Sequence, residues 1–199
     1  MLEAKEESRR SKSISKKDGN FLTKLARDSL EYYLKTGEKL RSPKVPPQLK
    51  EKSGVFVTIS TKQGDLRGCT GIPNPVEPLV KGVIDSAIDA GINDSRFRPV
   101  KSRELGNLNF EVTVLTKPEP ITSKSYPELL EKIHLGKDGL MIKSDGHSGL
   151  FLPQVPEEFG WNKEQYYTEL CEKAGIPLKQ GEDLQRTKVF KFQGKIFEE

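Results

Sequence analysis

Residues 54–71, GVFVTISTKQGDLRGCTG, read as two short strands closed by a tight turn, and that reading sets the fold class. In 54–60 the residues Val55, Val57 and Ile59 leave on one side and Phe56 and Thr58 on the other, the period of two that a strand imposes. Gln63-Gly64-Asp65 supplies a turn, and 66–70 returns as the second strand. So short a connection permits only antiparallel pairing, since parallel neighbours need a crossover of a dozen residues or more.

Outward from the hairpin, apolar spacing places a helix over 18–36 (Phe21, Leu22, Leu25, Ala26, Leu30, Tyr33, Leu34) with Gly37 as its stop. A second helix follows Pro78, with Leu79, Val80, Val83, Ile84, Ala87 and Ile88 on its apolar face and Gly91 as its end. A strand is expected over 109–116, with Phe110, Val112 and Val114 on one face. Ser125 and Glu128 form a helix-start pattern. Residues 139–143 and 149–152 read as strands joined through 144–148. A helix capped by Asn162 and Gln165 ends at Gly175, and 187–197 holds a final strand or two. The expected fold is α+β: a largely antiparallel sheet flanked by helices, with a smaller subdomain.

Composition bounds the function. The chain has 199 residues, 33 basic and 29 acidic, for a net charge of +4. Residues 1–17 hold six of the basic residues and three of the acids, so +3 of the +4 sits there. That Ser/Lys/Arg-rich stretch has little to bury and is expected to be a disordered tail ahead of a domain at 18–199. It has no apolar centre, so it does not read as a secretory signal, and no run approaches the ~18 apolar residues of a spanning helix. The expectation is a cytoplasmic protein with no membrane partner. The rest of the chain is nearly neutral and has no basic stripe, which argues against nucleic-acid recognition.

Leu66-Arg67-Gly68-Cys69-Thr70-Gly71 is the most unusual stretch. Arg67 and Cys69, two apart on a strand, share a face, and a guanidinium there could favour the thiolate. Gly68 and Gly71 would admit a ligand or another piece of backbone. The alternative is a strand twisting at two glycines around a small buried thiol. Glu111, in an apolar strand, is a candidate general base, a carboxylate paired with Arg67 or Arg96, or a group on an exposed sheet face. In Asp94-Ser95-Arg96-Phe97-Arg98-Pro99 the arginines suit an anion, or else Phe97 anchors the loop while they reach solvent. Cys171 reads as core and His147 as an exposed turn residue. Cys69, Cys171, His134 and His147 lack metal-ligand spacing, so no metal and no cofactor is expected.

These residues carry a resemblance. The hexapeptide is similar to the Leu-Arg-Gly-Cys-Ile-Gly hallmark of the AMMECR-domain family, with Thr70 in place of isoleucine. Gly54-Val55-Phe56-Val57-Thr58, Asp94-Ser95-Arg96-Phe97, Phe110-Glu111-Val112-Thr113-Val114-Leu115, Leu152-Pro153-Gln154-Val155, Trp161 and Cys171-Glu172-Lys173-Ala174-Gly175 agree in order. The resemblance implies an α+β fold with a small subdomain and a cleft near the hexapeptide. It marks Arg67, Gly68, Cys69 and Gly71 for attention. It also implies a prokaryotic gene set that encodes a Memo-type and a radical-SAM protein. It brings no reaction with it. The reading is therefore a binding or accessory module for a small anionic molecule or a pathway protein, with Arg67, Gly68, Gly71, Arg96 and Gln154 as ligand-binding candidates. The alternative is an enzyme using Cys69 as nucleophile and Glu111 or His147 as base.

Overall fold

The hairpin forms as its spacing predicts. In the computed structural model, which describes residues 14–199, β1 (Gly54–Thr61) pairs antiparallel with β2 (Leu66–Ile72), Thr58 opposite Cys69 and Ile59 opposite Gly68. The register shifts between Ile59 and Ser60, an irregularity next to the turn.

The chain divides into two compact units, one of residues 14–114 and 195–199 and one of residues 115–194. In the first unit, helix α1 (Lys16–Thr36) and helix α2 (Leu79–Ile92) accompany a four-stranded sheet of order β2-β1-β3-β8, where β3 is Leu108–Leu115 and β8 is Gly194–Glu198. Leu22, Leu25 and Leu30 of α1, Val83, Ile84 and Ala87 of α2, and Val57, Ile59, Phe110 and Val112 of the sheet are all buried in one core. Helix α1 begins two residues before its expected start, because Ser15 caps it: the Ser15 hydroxyl accepts from Asp18 N, and the Asp18 carboxylate accepts from Ser15 N at 3.0 Å. The expected basic tail falls chiefly on residues 1–13, outside the described residues.

Gly91 does not end α2, which runs on to Ile92 with Asn93 as its cap. A Cβ on Gly91 would meet the Leu30 side chain of α1, so this glycine is needed for helix packing and not for a stop.

The second unit has its own sheet, of order β4-β7-β5-β6, with β4 Glu119–Pro120, β5 Gly139–Ser144, β6 His147–Phe151 and β7 Lys188–Phe192. Pairings β4/β7, β5/β7 and β5/β6 are antiparallel. The β5–β6 turn is the two-residue type, with Asp145 (φ 46°) and Gly146 (φ 84°) both left-handed, tighter than the five-residue connection expected. Helix α3 (Tyr126–Glu131) starts at Ser125, but Glu128 reaches back to Lys124 N rather than to the cap itself. After the short helix α4 (Val155–Glu158), helix α5 (Lys163–Ala174) has the expected Asn162–Gln165 capping box and ends at Gly175 in the left-handed region. A one-turn helix, α6 (Leu178–Gly181), precedes β7. Tyr166, Tyr167, Leu170 and Cys171 of α5 are buried with Leu140, Ile142 and Val189 of the sheet. The fold is thus α+β as expected, but with two four-stranded sheets: the last two strands, split by Gln193 alone, join different ones. Among the described residues no helix is long and apolar enough to cross a membrane.

Candidate functional site

Cys69 sits half-buried on β2, on the side away from the α1–α2 core. Its Sγ lies 3.3 Å from Thr58 Oγ1, its directly opposed partner on β1. Its main chain is gripped from the loop after α2. Cys69 N donates to Asp94 Oδ2 at 2.9 Å, and Cys69 O accepts from Arg96 Nη2 at 3.3 Å. Asp94 also accepts from Arg96 Nε at 3.0 Å, Nη2 at 2.7 Å and the Arg96 amide at 3.2 Å. The guanidinium, reinforced by these N–H groups, holds the Asp94 carboxyl down at about 2. The Asp94 side chain is 6% exposed and that of Arg96 56%, so a buried acid orients an accessible cation.

Arg67 goes elsewhere. Its Nε and Nη2 donate to the Glu104 carboxylate at 3.1 and 3.4 Å, and its Nη1 donates to Arg98 O at 2.7 Å. Glu104 is itself tied to Lys101 N at 2.8 Å. Partial burial raises its carboxyl, yet Lys101 N and Arg67 together hold it below the ordinary range. The expected Arg67–thiolate pairing is therefore not formed: Arg67 buckles the loop 98–104 to the hairpin, and Arg96 is the cation acting on Cys69.

The two glycines of the hexapeptide also take packing roles. Gly68 faces the α1–α2 core, where a Cβ would overlap the Ala90 carbonyl oxygen of α2. At Gly71 a Cβ would overlap Val55 O and the Phe56 ring. Backbone and a side chain, not a ligand, use the space both leave. Thr70, on the core side, donates its hydroxyl to Ser86 O at 3.0 Å.

Glu111 is half-buried on β3 and accepts from Thr113 Oγ1 at 3.1 Å, not from Arg67 or Arg96. Burial raises its carboxyl, with Glu198 adding repulsion. Its charge raises the Cys69 thiol further rather than activating it. Burial is the main cause of the raised thiol, and the Thr58 contact and Arg96 offset it only in part. Gln154 and His147 lie in the second unit. Gln154 precedes α4 and its carbonyl accepts from Glu157 N and Glu158 N, while His147 is exposed where β6 begins. Cys171 is buried, as expected, and burial pushes its thiol up to about 11.

A reactivity prediction follows from the geometry. Thiol modification of Cys69 should run slower at pH 8 than that of a free thiol, whose pKa is about 8.5, and should still be rising well above that pH. Cys171 should be modified only on unfolding. A Cys69 rate that levels off at or below pH 7, followed with a chromogenic disulfide on a Cys171→Ser background, would show an activated thiolate instead.

Sequence reasoning missed the role of Asp94 as the hub, and Glu104 as the Arg67 partner. An Asp in a short polar loop right after a helix commonly bonds the backbone two residues on, but nothing in the sequence marks the further bonds of Asp94 to Cys69 N and the Arg96 side chain. Nothing local marks Glu104.

The AMMECR1 family model matches residues 23–197. Protein PH0010 of Pyrococcus horikoshii is 48% identical over 186 residues, covering 91% of this chain and 89% of that one. A protein of Methanothermobacter thermautotrophicus is 42% identical over 187 residues, covering 94% and 96%. The crystal structure of PH0010 from Pyrococcus horikoshii superposes with a TM-score of 0.82 over 91% of each chain. With its hexapeptide hairpin, its α+β architecture and a match spanning nearly its whole length, this chain belongs to the AMMECR1 family.

Proposed function

We propose that this AMMECR1-family chain is a cytoplasmic binding or accessory module that recognises a small anionic molecule at the Asp94–Arg96–Cys69 corner without covalent chemistry. One observation carries the reading. The Arg96 guanidinium is locked in orientation by Asp94 and Cys69 O through Nε and Nη2, while its Nη1 edge makes none of these bonds and the side chain is more than half exposed. A guanidinium edge fixed before the ligand arrives loses little entropy on binding and suits a planar carboxylate or a phosphate. The thiol beside it is held protonated at neutral pH, so it supports packing and hydrogen bonding rather than nucleophilic attack.

Purified wild-type protein and the Arg96→Ala and Arg96→Lys variants, analysed by mass spectrometry for co-purifying small molecules, test the reading. The wild type should retain an anionic compound that Arg96→Ala loses and Arg96→Lys holds at least about tenfold more weakly, given ~1.5–3 kcal/mol for hydrogen bonds to a charged group. Equal retention by all three would refute the assignment of the corner. A retained protein partner in place of a small molecule would replace the proposed ligand class.

A further inference from the structure

The second unit has a cleft of about 400 Å³ at the β5–β6 turn and the start of β7, independent of the Arg96 corner. Lys143, Lys188 and Arg186 line it, and Asp145 is the only acid among its lining residues. The strand registers fix their arrangement. Lys143 is opposite Lys188 on β7 and opposite Ser148 on β6. A hydroxyl and two ammonium groups therefore stand in one row across three adjacent strands, on one face of the sheet. Directly opposed like charges destabilise a ladder. Asp145 does not relieve the pair, because it is engaged by Arg186 Nη2 at 2.5 Å and Gln180 Nε2 at 3.1 Å. Two lysines and one arginine against one aspartate leave the cleft at +2.

The row is held rigidly from behind. Ser144 and Thr187, next in the chain to Lys143 and Lys188, are buried. Thr187 Oγ1 lies 3.0 Å from Ser144 Oγ and donates to Gln180 O at 2.7 Å, and Gln180 Nε2 donates to Ser144 Oγ at 2.9 Å. Lys188 also lines a second cavity, of about 440 Å³, whose walls include Ile121, Leu184 and Phe190. Ser123 also lines this cavity, with its hydroxyl turned away from the open space.

We propose that the second unit binds a small phosphomonoester, its phosphate seated between Lys143 and Lys188 and its organic part in the adjoining cavity, which shares Lys188, against Ile121, Leu184 and Phe190. A dianionic phosphate balances the +2, and charge-assisted bonds to its oxygens are the strong kind. The combined space lies within the usual range for small-ligand sites, ~300–1,000 Å³.

The test is a titration of ¹⁵N-labelled wild-type protein with inorganic phosphate and phenyl phosphate, against chloride at matched ionic strength. Saturable shifts should appear first in the amides of residues 143–148 and 186–188, with phenyl phosphate binding at least about tenfold more tightly than inorganic phosphate. That factor corresponds to ~1.4 kcal/mol, within reach of partial burial of one ring. Lys143→Gln/Lys188→Gln should weaken both ligands by tenfold or more, while Lys24→Gln, an exposed lysine of α1 outside both sites, leaves them unchanged. The lysines are exposed, so the double variant keeps its fold, and the wild-type shift map tests placement without any variant. Shifts no larger than those of chloride, shifts confined to 94–104, or undiminished binding by the double variant would each overturn the proposal. So would binding only to phosphatidic-acid vesicles or to a single-stranded oligonucleotide, with none to phenyl phosphate.

Discussion

Replacing Asp94 by Asn should cost the first unit about 2 kcal/mol, more than a typical loop substitution. The carboxylate is buried and accepts from Cys69 N, Arg96 N, Arg96 Nε and Arg96 Nη2. An amide there turns an NH₂ group toward at least one of these donors and leaves a buried N–H unpaired, worth ~1–3 kcal/mol, while the guanidinium left behind is more than half exposed and adds little. The same residue sets a pH signature. Its carboxyl titrates at about 2, below the ordinary value of 3.8. A depressed folded-state value means the unfolded chain takes up the proton first as pH falls. The stabilisation is therefore complete above about pH 4 and is lost between there and pH 2, amounting to about 2 kcal/mol at 1.36 kcal/mol per pH unit. Urea unfolding at several pH values should show a steeper acid loss in the wild type than in Asp94→Asn, by close to one proton over this interval. Parallel pH profiles would mean that the Asp94–Arg96 pair does not form in solution. Hydrogen exchange at the Cys69 amide supplies a local readout and should accelerate in the variant.

The residues at this corner differ in how far the sequence alone states their roles, for a physical reason. Hairpin pairing, helix spans and the caps at Gly37, Asn162 and Gly175 depend on neighbours within a few positions, and their periodicities state them directly. Arg67 and Cys69 sharing a strand was equally legible, but an arginine's partner is chosen by whichever acid the fold delivers. Glu104 arrives from 37 residues away, fixed by its own bond to Lys101 N. Gly91 had the composition of a helix stop and is instead a contact site for Leu30, something only the neighbouring helix can reveal. The assignment of β7 and β8 to separate sheets was likewise hidden: Gln193 alone lies between them, and a period of two says nothing about which sheet a strand joins. Fold class was legible because it rests on local turns. The wiring of the candidate site was not, since it rests on long-range pairings.

Gly68→Ala should be the most damaging single methyl in the hairpin. The added Cβ would overlap the Ala90 carbonyl oxygen, and neither partner can yield cheaply. Ala90 belongs to α2, which is fixed by buried Val83, Ile84 and Ala87, and Gly68 is paired with Ile59, which is wholly buried. Relief requires α2 to lift from the sheet and loosen that core, so the cost should reach or exceed the ~3 kcal/mol upper range for overpacking. Gly71→Ala should cost less. Its Cβ would meet Val55 O and the Phe56 ring, and the end of β2, an edge strand, can shift outward. Gly64→Ala has open space but a φ of +96°, so only the backbone penalty of ~1 kcal/mol applies. Urea midpoints should therefore fall in the order Gly64→Ala, Gly71→Ala, Gly68→Ala, the last being lowest. If Gly68→Ala were as stable as Gly64→Ala, α2 would not bear on β2 as described. The order also separates two contributions to the hexapeptide. Its glycines set how closely β2 approaches α2 and β1, and that approach brings Cys69 N within reach of Asp94 at the end of α2. A folded fraction of Gly68→Ala should accordingly lose protection at the Cys69 amide as Asp94→Asn does, although the methyl lies on the opposite face of the strand.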